Sequence, residues 1–138
     1  MPATLIDAGP LTALLNPNDE WHAWARGVTQ QLQTPLLTSE PVLTETLHLL
    51  RRDGCDADQL FELAEEGVIK VGLRFEDEQA SLRELMACYR NVPMSLADAT
   101  LVRLSELHRD CQVFTFDTDF RIYRLHGDRI IPVLMPED

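Results

Sequence analysis

Positive charge is scarce in this sequence. Lys70 is the only lysine, and Lys plus Arg number 12 against 23 Asp plus Glu, a net charge of −11 over 138 residues. That balance argues against a simple basic nucleic-acid binder, because neutralising phosphates takes Lys and Arg. Cysteine is sparse too. Cys55, Cys88 and Cys111 are odd in number, far apart and in no C-x-x-C spacing. They read as reduced thiols of a cytoplasmic protein, not as a disulfide framework. The four histidines, His22, His48, His108 and His126, lack the H-x-x-x-H spacing of a zinc site. No stretch approaches the ~20 apolar residues of a membrane span. The opening MPATLIDAGP has no basic region and its apolar run is broken by Asp7, so it does not read as a signal peptide.

What is present suits one domain over residues 1–138. The chain is 45% hydrophobic, enough for a core without disulfides or structural metal. Short apolar runs alternate with amphipathic patterns, the signature of βα units on a parallel sheet. Strands are expected at Ala3–Ile6, Pro35–Thr38, Val68–Val71, Gln112–Phe116 and Ile130–Leu134, with Pro132 placing the last at an edge. Helices are expected at Leu11–Leu15, from Glu20 to Leu32 behind an Asp19 cap, and from Pro41 to Arg52. Others should cover Asp56 to Glu66, Phe75 to Tyr89, Leu96 to His108 behind a Ser95 cap, and Phe120 to Leu125. Trp21 and Trp24 share a helix face and read as core or partner packing, with base stacking as the alternative.

Charge is uneven along this frame. Asp53 to Glu84 holds ten acids, whereas Phe120 to Leu134 sets Arg121, Arg124 and Arg129 against Asp128 alone.

The acids carry the functional signal. Asp7 follows Thr4-Leu5-Ile6, and Asp117 follows Val113-Phe114-Thr115-Phe116. In an open parallel sheet the carboxyl ends of central strands line one crevice, so the two carboxylates should converge there. Clustered like charges raise each other's pKa or need a counterion. Glu45 and Asp98 each lie inside a mostly apolar helical segment, where an acid is expected to be paired, capping or bound to metal. Each has an ordinary alternative. Asp98 has capping-box spacing from Ser95, Asp7 can cap the next helix, Glu45 can be a solvated flank, and Asp117 and Asp119 can offset a helix dipole.

Four segments then resemble the motifs of the PIN-domain family, and among its members the VapC-type ribonuclease toxins of type II toxin–antitoxin pairs. They are Leu5-Ile6-Asp7-Ala8-Gly9-Pro10-Leu11, Ser39-Glu40-Pro41-Val42-Leu43-Thr44-Glu45, Met94-Ser95-Leu96-Ala97-Asp98-Ala99, and Phe114 through Arg124. Each is short, but their order and spacing cover nearly the whole chain. The resemblance implies a three-layer α/β/α sandwich on a short, mostly parallel five-stranded sheet. It implies a metal-dependent endoribonuclease using one or two Mg²⁺ or Mn²⁺ ions, an RNA substrate, a small antitoxin partner and a homodimer. Carried over by residue, the catalytic set is Asp7, Glu45, Asp98 and Asp117, and the metal set is Asp7, Asp98, Asp117 and Asp119. Arg121 and Arg124 are candidates for phosphate contact. Ala8 departs from the pattern, since many relatives have a hydroxyl residue there.

Two rival readings stand beside it. An aspartyl phosphotransferase wants a second Asp two residues after its nucleophile and a later lysine; Gly9 holds that place after Asp7, and Lys70 precedes Asp117-Thr118-Asp119. A catalytically silent acidic binding module would also keep the acids and suits the −11 charge.

Overall fold

A computed structural model describes residues 2–137. Its main sheet has five parallel strands: β1 (Ala3–Ile6), β2 (Leu36–Thr38), β3 (Ile69–Val71), β4 (Cys111–Phe114) and β7 (Val133–Leu134), in the order β3-β2-β1-β4-β7. β1 and β4 are therefore internal, as their apolar runs require. Their register pairs Leu5 with Val113 and Ile6 with Phe114, all four fully buried. The next residue on each strand, Asp7 and Thr115, emerges side by side at the carboxyl end.

Six helices flank the sheet: α1 (Ala8–Leu15), α2 (His22–Thr29), α3 (Glu40–Arg52), α4 (Asp58–Glu65), α5 (Phe75–Cys88) and α6 (Leu96–Leu107). α6 packs on β1 and β4 and against α3 and α5, while α1 packs against α2 and α3. Ser39 caps α3, its Oγ accepting from the Val42 amide, and Pro41 occupies the first turn. Arg103 of α6 holds α5 through Glu78 at 2.8 Å, and also bonds Glu106 at 3.2 Å.

Four expectations need correction. The helix expected from Leu11 begins three residues earlier at Ala8, because Asp7 itself is the cap and accepts from the Ala8 amide. The second helix is shorter than Glu20–Leu32: Asp19 Oδ1 accepts from the Trp21 amide in a turn, and α2 starts at His22 without a side-chain cap.

The tail differs most. In place of a Phe120–Leu125 helix there is a 3-10 turn over Thr118–Arg121, and Ile130–Leu134 is not one strand. β5 (Arg124–Leu125) and β6 (Arg129–Ile130) form a separate antiparallel hairpin. Its turn places His126 at φ 51° and Gly127 at φ 86°, with the Asp128 amide donating to the Leu125 carbonyl. Positive φ at both central residues is the type I′ geometry that suits the strand twist. Past Pro132, whose carbonyl accepts from the Val113 amide, β7 joins β4 as an edge strand.

Candidate functional site

An open cleft of about 580 Å³ lies at the carboxyl ends of β1 and β4, and Asp7, Glu45, Asp98, Asp117 and Asp119 all line it. They arrive by four routes. Asp7 caps α1 directly after β1. Glu45 projects from α3 beside the buried positions Val42, Thr46 and Leu50. Asp98 sits in the first turn of α6, and Asp117 and Asp119 frame the 3-10 turn after β4.

Asp7 is the buried member, 7% exposed. Its Oδ1 accepts from the Ala8 amide at 2.8 Å and its Oδ2 from the Thr115 hydroxyl at 2.7 Å. Burial pushes its pKa from 3.8 to about 6; the two hydrogen bonds oppose that, and the charges of Asp98 and Glu45 add to it. Thr115 is itself fully buried, and its oxygen also accepts from the Asp117 amide at 3.0 Å. One hydroxyl thus ties the two strand ends together, and it serves Asp7 although Ala8 cannot. Asp117 Oδ1 in turn accepts from the Asp119 amide at 2.9 Å.

Asp98 combines two roles weighed as alternatives above. Its side chain completes a capping box with Ser95, and it still faces the cleft. Oδ2 also accepts from the hydroxyl of buried Tyr123 at 2.9 Å. Burial raises the pKa of Asp98, the Tyr123 bond lowers it, and Asp117 raises it. The Tyr123 phenol is pushed up by burial and by the Asp98 carboxylate. Glu45, on an exposed stretch of α3, is also raised, first by desolvation and then by Asp98 and Asp117, with His48 opposing.

Thr115 and Tyr123 escaped the sequence reading. The signal for Thr115 was a polar residue closing an otherwise apolar strand; Tyr123, three residues from buried Phe120, had only that spacing. The predicted phosphate contacts do not join the cleft. Arg124 Nη1 donates to the carbonyls of Arg121, Ile122 and Tyr123, and its side chain lines a different hollow beside Tyr89. Arg121 is exposed on the 3-10 turn, off the cleft lining.

Residues 4–125 match the PIN domain. The chain belongs to the PIN-domain family. The solved structure of the Mycobacterium tuberculosis toxin VapC20, which cleaves the sarcin–ricin loop, has the fold of this PIN domain. The TM-score is 0.79 at 23% identity, over 92% of this chain and 99% of that one. No curated protein matches at the sequence level.

The chemistry of the PIN-domain cleft fits a hard divalent cation. Its lining offers five carboxylates and no lysine or arginine, and Asp7, Glu45 and Asp98 have pKa values raised by burial and, in part, by the charge of neighbouring cleft acids. Among the described residues, no three His, Cys, Asp or Glu side chains yet stand close enough to form a ready-made cage.

Proposed function

We propose that this PIN domain is a divalent-metal-dependent endoribonuclease that hydrolyses RNA phosphodiester bonds, and that it is the cytoplasmic toxin of a toxin–antitoxin pair. The convergence of five carboxylates on one cleft without a lining cation carries the reading. The fold it shares with VapC20 supports RNA as the substrate class. A small antitoxin and a second copy of the chain are the partners that go with this reading.

Asp7, Asp98 and Asp117 would hold the ion, with Asp119 beside them. Their oxygens are already oriented by the Ala8 amide, Thr115, Ser95, Tyr123 and the Asp119 amide. When bound, Mg²⁺ or Mn²⁺, as one or two ions, supplies positive charge that acidifies water and stabilises charge gathering on the scissile phosphate. Glu45, exposed and with its pKa raised, would orient the attacking water and accept its proton on the carboxylate. Arg121, near Asp119, would reach a phosphate farther along the strand.

Thermal melting with and without Mn²⁺, paired with RNA cleavage, tests the proposal in the wild type and in Asp98→Asn. Asparagine keeps an acceptor for Ser95 and Tyr123 while removing the charge. Mn²⁺ should raise the wild-type melting temperature and support cleavage, and should do neither in the variant. Cleavage by Asp98→Asn at the wild-type rate would overturn the assignment. A Mn²⁺ shift without cleavage of any RNA would favour the silent binding module.

A further inference from the structure

One aromatic side chain lines the cleft, with others packed behind it. Phe116, directly before Asp117, lines it opposite Gly9 and is half-buried. The Trp21 and Trp24 rings each lie 6.1 Å from Phe116 and 6.2 Å from each other, and Trp24 packs edge-on to Phe114 at 5.7 Å. Phe114 belongs to the core, so the cluster is anchored at depth and runs outward to Trp21, 36% exposed at the start of α2. Gly9 leaves the room this needs, since a Cβ there would stand 3.1 Å from Phe116 Cδ2. Packing alone accounts for Trp24 and Phe114. It does not account for a second, partly exposed indole stacked beside the one phenyl ring that lines a cleft of carboxylates.

Charge indicates what these rings do. Inside the cleft an RNA strand meets five acids and no guanidinium; Arg121 lies outside the lining, and Arg124 is engaged with backbone carbonyls. Affinity from phosphate contacts is therefore weak at this site. Base faces carry no charge and stack on aromatic rings whatever their sequence. We propose that Phe116 and Trp21 form a base-stacking subsite that seats an unpaired nucleobase of RNA beside the acid cluster. This inference rests on the ribonuclease reading and adds to it the means by which a protein of net charge −11 holds its substrate.

Binding of a short unstructured RNA is measured in the Asp98→Asn background, where the strand survives, by anisotropy and by quenching of tryptophan emission over a series of KCl concentrations. Phe116→Leu and Trp21→Leu should each raise Kd by about 5- to 150-fold, the equivalent of one lost stack, while Phe116→Tyr retains wild-type affinity. An abasic oligonucleotide should bind as weakly to the parent as intact RNA does to Phe116→Leu. The salt dependence should be shallow, with a log–log slope smaller than about 1 in magnitude. Melting curves establish that the variants fold; if Phe116→Leu does not, Trp21→Leu at the rim decides. Unchanged Kd in the leucine variants, or a steep salt slope, would overturn the inference. So would a Trp21→Leu variant that splits a dimer in sedimentation yet binds RNA normally, since the face would then be a subunit contact. Cleavage by the chain with Asp98 intact is scored separately: its absence defeats the ribonuclease reading, whereas cleavage with unaltered KM in the leucine variants defeats only the stacking subsite.

Discussion

Thr115 donates its hydroxyl proton to Asp7 Oδ2 across the β1–β4 seam, and its oxygen accepts from the Asp117 amide. The parallel register makes this contact unavoidable: with Ile6 opposite Phe114, the following residues are neighbours. Thr115→Val keeps the shape and removes the hydroxyl. It leaves a buried carboxylate oxygen and an amide without partners, and should cost about 1–3 kcal/mol in denaturant unfolding. It should also weaken Mn²⁺ binding, whereas Thr115→Ser should restore both. Wild-type stability and Mn²⁺ affinity in the valine variant would refute this positioning role.

Asp7 makes the ion-free protein sensitive to pH in an unusual direction. The carboxyl titrates near 3.8 in the unfolded chain and near 6 when folded. Below about pH 4 it is protonated in both states and costs nothing. Between those values the folded state holds the proton more tightly, so stability falls as pH rises. Above about pH 6 the whole penalty is present, on the order of 3 kcal/mol. Asp7→Asn carries no charge at any pH, and its amide can still accept from Ala8 and reach Thr115. In chelator, the variant should gain stability over the wild type as pH climbs from 4 to 7, and the two should converge at low pH. A difference that does not vary with pH would refute the assignment.

Tyr123→Phe removes the donor to Asp98 Oδ2 and leaves the ring, which packs edge-on to Tyr89 at 5.1 Å and to Phe120 at 5.3 Å. The bond lowers the Asp98 pKa, so its loss should raise that pKa further. Mn²⁺ binding, followed by calorimetry, should then require a higher pH than in the wild type. An unshifted pH profile would show that the phenol contributes only packing.

Arg124→Gln tests the division of labour among the arginines. Its three carbonyl contacts stabilise the chain reversal after the 3-10 turn, so unfolding should become easier by about 1 kcal/mol. RNA affinity should not change. Reduced affinity in a fully folded variant would return Arg124 to the substrate path.

The frame of the molecule was legible where periodicity was strong. Ala3–Ile6 and the apolar stretch before Asp117 announced two of the internal strands, Ser95 marked a helix start that the structure shares, and Pro41 marked another to within one residue. The acids could be placed near one another because strand ends of a parallel sheet share an edge. The tail from Thr118 onward was not legible, since a two-residue strand has no period and His126-Gly127 was not read as a type I′ turn. Thr115 and Tyr123 were hidden for another reason. Their partners lie 108 and 25 residues away, and only the assembled sheet brings them together. The exposure of Trp21 likewise depends on where α2 begins, which the shorter helix changes.

The sheet ends on one side in the three residues of β3 and on the other in the two residues of β7, next to Pro132. Edges this short leave few unpaired backbone groups. A partner cannot gain much by adding a strand, and neither can a misfolded copy of the same chain. Recognition at the main sheet therefore falls to side chains, and in the cleft those side chains also cap α1 and α6, so a change that alters binding there also loads the fold.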